Sequence, residues 1–263
     1  MTDETVPGFD GGPAVPIRIY ESADDGSSPT IVFFHGGGFV IGDLESHDVL
    51  CRHVVRETGD TVVAVDYRRA PEHPFPAALE DAYAATTWAA DDSAPLDSNG
   101  VLAVLGDSAG GTLAAGVSLM ARDWDGPEID RQVLAYPSVS ARTDWDSRNE
   151  NAEGYYLEEA DIEWFFRSYY GSQVHTANPY GFPLVAHDHA GLPDTTVLTA
   201  GFDPLRDEGV AYVEALRDDG VAVSHHHYAD MIHGFLTMLA EPADIDTAHE
   251  AVRAIGDDLH PDR

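Results

Sequence analysis

The sequence predicts an α/β fold, with a mainly parallel central sheet and helices on both of its faces. Two observations carry this expectation. Short continuous runs of Val, Ile, Leu and Phe recur along the chain, the pattern of strands buried on both faces. Helical stretches separate them, and parallel strands need such crossovers. The 263 residues would fit one large domain or two small ones at roughly 100–200 residues per domain. The alternation runs the length of the chain, so a single domain over 1–263 is expected.

Residues 1–13 are polar and rich in Gly and Pro, and are expected to be loosely held. Val15–Tyr20 alternates as a strand, and Thr30–Phe34 is a short apolar run. Asp48–Glu57 reads as the first helix, Thr61–Val65 as a buried strand and Ala77–Ala90 as the next helix. Val101–Leu105 is a strand that leads directly into a small-residue helix, Ser108–Met120. Val133–Ala135, Thr195–Thr199 and the alternating Val221–Tyr228 complete the strands. Gly209–Asp218 and Ile245–Leu259 complete the helices. Residues 140–185 break the rhythm. They are rich in Tyr, Trp and Phe, carry one helical run at Glu158–Tyr170 and contain no buried strand. They are expected to form a cap-like insertion over one end of the sheet. No internal repeat or low-complexity tract is present.

Composition removes several function classes. One cysteine, Cys51, excludes an internal disulfide framework and a Cys-cluster metal site. No apolar run approaches the roughly 18 residues of a membrane span. The acidic start lacks the regions of a signal peptide, so a cytoplasmic location is expected. Acidic residues number 47 and basic residues 14, a formal net charge of −33, and every basic residue is Arg. Phosphate backbones and anionic bilayers would repel such a chain, so neither nucleic acid nor membrane is an expected partner. Charge of this size also repels itself. The Debye length falls from about 10 Å at 0.1 M salt to about 3 Å at 1 M, so concentrated salt would screen that repulsion. The charge and the missing lysines point to a halophile.

Chemistry concentrates in two glycine-rich motifs. Gly106-Asp107-Ser108-Ala109-Gly110 joins an apolar strand to a small-residue helix. A serine on so sharp a turn needs small neighbours, and the helix N-terminus lies where negative charge would develop. His35-Gly36-Gly37-Gly38 follows another apolar strand, and its glycines let backbone N–H groups face a cavity. It lacks the G-K-[ST] ending and the G-x-G-x-x-G spacing of phosphate loops. Either motif alone is a weak signal. Together they supply a nucleophile and donors for an oxyanion.

With these motifs the sequence resembles the α/β-hydrolase fold, and within it the hormone-sensitive-lipase-like esterases of the G-D-S-A-G type. The likeness runs from about Val15 to Phe235 through H-G-G-G-F-V-I-G at 35–42, D-Y-R-R-A-P-E-H-P-F-P at 66–76, G-D-S-A-G-G at 106–111, D-P-L-R-D-E-G at 203–209 and H-G-F at 233–235. It implies Ser108 as nucleophile, Asp203 as acid and His233 as base, in the chain order of this fold. It also implies an oxyanion hole from the N–H groups of Gly37, Gly38 and Ala109. Asp107, Tyr67, Arg68, Pro71, Glu72, Asp207 and Glu208 resemble scaffold residues. Of the other histidines, His225, His226 and His227 fall inside the last strand, His187 and His189 are expected in a surface loop, and His73 reads as structural. No metal or cofactor is implied.

The implied activity is carboxylic ester hydrolysis on a small-molecule substrate. Amide or aryl-formamide hydrolysis on the same triad is an alternative, and a binding protein on the same scaffold is a more distant one. Relatives dimerise through the strand equivalent to Val221–Tyr228, which leaves a homodimer open. Family members usually carry several dozen residues of cap before the first strand, where this chain has about a dozen. A thinner cap makes a wetter site, which favours short or compact acyl esters. Trp145, Tyr155, Tyr156, Trp164, Phe165, Phe166, Tyr169 and Tyr170 are available to line it. Most of them are expected instead to bury the insertion against the sheet.

Overall fold

The computed structural model describes residues 1–22 and 28–261. Eight strands form one sheet: β1 Thr2–Val6, β2 Val15–Tyr20, β3 Ser28–Phe34, β4 Thr61–Val65, β5 Ser98–Asp107, β6 Arg131–Ala135, β7 Asp194–Phe202 and β8 Val223–Ile232. Seven α-helices accompany them: α1 Asp48–Thr58, α2 Ala77–Ala89, α3 Ala109–Asp123, α4 Asp146–Glu150, α5 Glu159–Tyr169, α6 Arg206–Asp218 and α7 Asp246–Leu259. The spatial order is β1-β2-β4-β3-β5-β6-β7-β8. The β1–β2 and β2–β4 pairs are antiparallel, and every other pair is parallel.

The side-chain period of two divides the apolar runs between two cores. Val32, Phe34, Val63, Val65, Val104 and Leu134 face α2, α3 and α6. Ile31, Phe33, Val62, Ala64, Leu105 and Val133 face α1 and α7. From β3 the chain crosses outward to β4 and then returns to β5 on the other side of β3. Such a reversal opens a crevice at the carboxyl ends of the two strands, where α/β sheets bind ligands. Phe34 pairs with Gly106 there, so topology alone brings the two glycine motifs together.

The expectation of a loose N-terminus is wrong. Residues 2–6 are β1, in continuous register with β2 from Thr2 opposite Ile19 to Val6 opposite Val15. Only Val6 of the five is buried, so no apolar alternation reveals the strand. The backbone ladder and the Arg18 guanidinium, 2.6 Å from Asp3 and 2.7 Å from Glu45, hold it. Its charged outer edge suits an edge strand. Elsewhere the observed elements differ from the expected ones mainly at their ends. β5 starts at Ser98 and runs on through Gly106 and Asp107, where the apolar pattern has already stopped.

Residues 140–185 carry α4, α5 and two short 3-10 turns, and contain no strand. Glu158 and Asp161 start α5 with a reciprocal capping box. Tyr169 stacks on Phe39, with ring centroids 4.0 Å apart, and Tyr170 stacks on Phe182 at 4.3 Å. The first stack ties the insertion to the glycine-rich loop after β3, and the second packs the insertion on itself. No helix among the described residues is long and apolar enough to cross a membrane.

Candidate active site

Ser108 stands between β5 and α3 with φ 53° and ψ −119°. A non-glycine residue pays for a positive φ, so the surroundings must enforce it. The Ser108 N–H donates to the Ala135 carbonyl at 2.8 Å. A side chain on Gly106 would collide with the backbone of Gly110, and one on Gly110 with the Phe34 carbonyl. The two glycines therefore let α3 start hard against the sheet, which is why small residues flank the serine.

Asp203 and His233 come from loops after β7 and β8. Asp203 is completely buried. Its Oδ1 accepts from the Leu205 N–H at 2.8 Å, and its Oδ2 lies 2.8 Å from His233 Nδ1. A carboxylate only accepts, so Nδ1 carries the imidazole proton and leaves Nε2 as an acceptor. Nε2 lies 2.9 Å from Ser108 Oγ. Tyr136 flanks the imidazole, with ring centroids 4.7 Å apart.

Gly37 and Gly38 lie beside this trio with φ of 114° and 58°. A Cβ on Gly37 would strike the Ile41 carbonyl, and one on Gly38 the Phe165 ring. Ala109 opens α3, so its N–H has no acceptor within the helix. Thus all six residues singled out from the sequence, Ser108, Asp203, His233, Gly37, Gly38 and Ala109, converge on one place.

A cavity of about 500 Å³ opens above Ser108. Gly37, Gly38 and Ala109 form its floor, and Tyr156, Leu157, Ile162, Phe165, Phe166 and Tyr170 its roof. Four of the eight aromatics named from the sequence therefore line the cavity, more than the expectation that most would serve packing. Tyr156 and Trp164 remain well exposed at 74% and 48%. The insertion also braces the loop that carries Asp203. Asn151 donates to the Asp203 carbonyl at 3.2 Å, and Ser147 Oγ donates to the Pro204 carbonyl at 2.7 Å. The Ser147 N–H donates to Asp207 at 2.8 Å.

Sequence reasoning missed His47. It is buried and lies 3.2 Å from Asp107, at the edge of the cavity. Burial lowers the pKa of its imidazole, but the Asp107 charge and hydrogen bond outweigh this, so the net direction is upward. Its only signal in the sequence was a histidine eight residues after the H-G-G-G-F run. His35 behaves oppositely. Burial pushes its pKa down to about 4, so it is neutral. It stacks on Tyr67 with ring centroids 4.1 Å apart.

His189 is not the surface residue expected. It is buried, with Nδ1 2.8 Å from Asp219 and Nε2 3.1 Å from the Pro183 carbonyl. His187 is exposed, as is His73. His225 and His227 share a face of β8, and each lies 2.9 Å from Thr199 Oγ1. Among the described residues no group of three or more His, Cys, Asp or Glu is placed to hold a metal.

Residues 31–237 match the family model described as alpha/beta hydrolase fold. The chain belongs to the α/β-hydrolase family. This α/β-hydrolase is 43% identical over 247 residues to the carboxylic ester hydrolase LipN of Mycobacterium tuberculosis, covering 90% of this chain and 65% of that protein. It is 44% identical over 233 residues to the esterase LipI of the same organism, covering 86% of this chain and 72% of that one. It spans about two thirds of the length of the first of these relatives. A hyperthermophilic esterase from Pyrobaculum calidifontis superposes with a TM-score of 0.92 at 41% identity, over 99% of this chain and 85% of that one.

Glu208, just after the loop of Asp203, gives a pH test of the scaffold. It is completely buried, and Oε1 accepts from the N–H groups of Val139 and Ser140 at 2.8 and 3.3 Å. Burial raises its pKa to about 7, against the opposing pull of Arg148. The unfolded carboxyl ionises near its ordinary 4.5. The native state therefore binds more protons between these values, and stability falls as pH rises from about 4.5 to about 7. Glu208→Gln keeps the acceptor without the charge. Its melting temperature should fall less than that of the wild type across this window, as measured by thermal melts at fixed ionic strength. Parallel curves would refute the assignment.

Proposed function

We propose that this protein is a carboxylic ester hydrolase of the hormone-sensitive-lipase-like kind, cleaving short or compact acyl esters through an acyl-enzyme on Ser108. One observation carries the reading: a single imidazole, that of His233, lies within hydrogen-bond distance of both Ser108 Oγ and the buried Asp203. A serine hydroxyl is too weakly acidic to attack unaided. His233 takes its proton as Oγ adds to the ester carbonyl, and Asp203 orients and stabilises the resulting imidazolium. The N–H groups of Gly37, Gly38 and Ala109 receive the tetrahedral oxyanion, each such donor lowering the barrier by about 3–4 kcal/mol. His233 then gives its proton to the leaving alkoxide. Water repeats the sequence on the acyl-enzyme and frees the acid.

The names of the relatives support ester hydrolysis, since LipN is a carboxylic ester hydrolase and LipI an esterase. The cavity supports a compact acyl group, because it measures about 500 Å³ and Phe165, Phe166 and Tyr170 line it. Residues 140–185 act as its cap within a single 1–263 domain. The working environment is a concentrated-salt cytoplasm. The net charge of −33 supports this, and most arginines already pair with carboxylates.

Ser108→Ala should lower kcat on p-nitrophenyl butyrate by about a millionfold, and retained turnover would mean the nucleophile lies elsewhere. Across a series of p-nitrophenyl esters, kcat/KM should be higher for butyrate than for palmitate, and the reverse order would contradict the compact pocket. Raising KCl from about 0.1 to about 3 M should raise the melting temperature as screening strengthens, whereas a flat profile would oppose the high-salt reading.

A further inference from the structure

We propose that His47 and Asp107 form a positioning pair that fixes the glycine loop at a set distance from the nucleophile. This rests on the reading of that loop as the oxyanion site. Asp107 immediately precedes Ser108 in the chain and is 3% exposed. Its Oδ1 accepts from the Gly36 N–H at 2.8 Å and lies 3.2 Å from His47 Nε2. The same carboxylate thus grips both the nucleophile's turn and the root of the glycine loop. His47, itself 9% exposed, closes the third side of that contact. Its Nδ1 lies 3.0 Å from Ser46 Oγ, and its ring packs between Phe33 and His35 with centroids 5.8 and 5.6 Å away.

Peptide planarity carries the effect forward, because a carbonyl and the following N–H point in opposite directions across one rigid plane. The 35–36 plane is held at both ends, by Tyr67 Oη donating to the His35 carbonyl at 2.7 Å and by Asp107 accepting from the Gly36 N–H. The 36–37 plane is held by His35, whose Nδ1–H meets the Gly36 carbonyl at 2.7 Å. The 37–38 plane is held by the Val40 and Ile41 N–H groups, which reach the Gly37 carbonyl at 3.0 and 2.9 Å. In this run the Gly37 and Gly38 N–H groups donate to no acceptor among the described residues. Each of those two lies opposite a carbonyl that is tied back. Asp107 anchors the first plane in this series, and His47 keeps Asp107 ionised and aimed. Burial alone would push the Asp107 carboxyl up, yet His47 and the Gly36 N–H hold it below its ordinary range.

A trifluoromethyl ketone reads out the loop geometry. Ser108 Oγ adds to its carbonyl carbon, the serine proton passes to His233, and the former carbonyl oxygen becomes a hemiketal oxyanion facing the loop. His47→Phe keeps a ring but removes the donor, while His47→Gln restores a donor near Nε2. With p-nitrophenyl butyrate, H47F should lose about tenfold to a hundredfold in kcat with KM little changed, below the full loss of one oxyanion donor. The ketone's inhibition constant should rise by the same factor, and H47Q should recover most of both. An unchanged inhibition constant in H47F, or equal damage in H47Q and H47F, overturns the proposal. If H47F gives no cooperative thermal transition, Asp107→Ala is compared with Asp107→Asn, which keeps an acceptor for Gly36. D107A should bind the ketone at least about tenfold more weakly than D107N, and equal binding overturns the proposal. Failure of the underlying reading looks different, since the wild type would then bind the trifluoromethyl ketone no more tightly than its methyl analogue.

Discussion

The site depends on one strained backbone residue. Ser108 is held at φ 53°, a conformation costing on the order of 1–3 kcal/mol, and the sheet absorbs that cost. The turn throws the hydroxyl clear of β5 while starting α3 beneath it, so the serine gains both exposure and a helix N-terminus. The constraint reaches outward from there. Gly106 and Gly110 must lack side chains for α3 to approach, and the Ala135 carbonyl on β6 must receive the Ser108 N–H. A side chain at either glycine would collide with backbone and force α3 away from the sheet.

Sheet order gathers the other site residues around that turn. With β3 beside β5, the glycine loop after one strand faces the serine after the other, although some seventy residues separate them. The loops after β7 and β8 bring Asp203 and His233 to the same end. The insertion then covers this end twice over. Through α5 it roofs the cavity with aromatic rings, and through α4 and Asn151 it hydrogen-bonds the loop that carries the acid. One segment therefore both lines the cavity and holds the loop of Asp203.

Much of this was legible in the sequence because it is written in local pattern. The central strands announce themselves by Val-rich runs, and the nucleophile by glycines that only a sharp turn requires. Asp203 and His233 were legible only through the motifs around them, since the chain holds 47 acidic residues and 13 histidines. What stayed hidden depends on contacts between distant segments. β1 is stabilised by a ladder and by Arg18 rather than by apolar alternation. His189 is buried by Asp219, thirty residues away, and His47 is given its role by Asp107, sixty residues away. The division of the aromatics between cavity wall and packing likewise follows from how α5 is rotated over the sheet, which no periodicity encodes.

The most direct test of the central claim is peptide-level mass spectrometry after exposure to a fluorophosphonate, comparing the wild type with His233→Asn. The account predicts a single phosphonyl group on Ser108 in the wild type and almost none in the variant over the same interval, because the hydroxyl attacks only when the imidazole takes its proton. Equal labelling of both proteins, or a label on another residue, would contradict it.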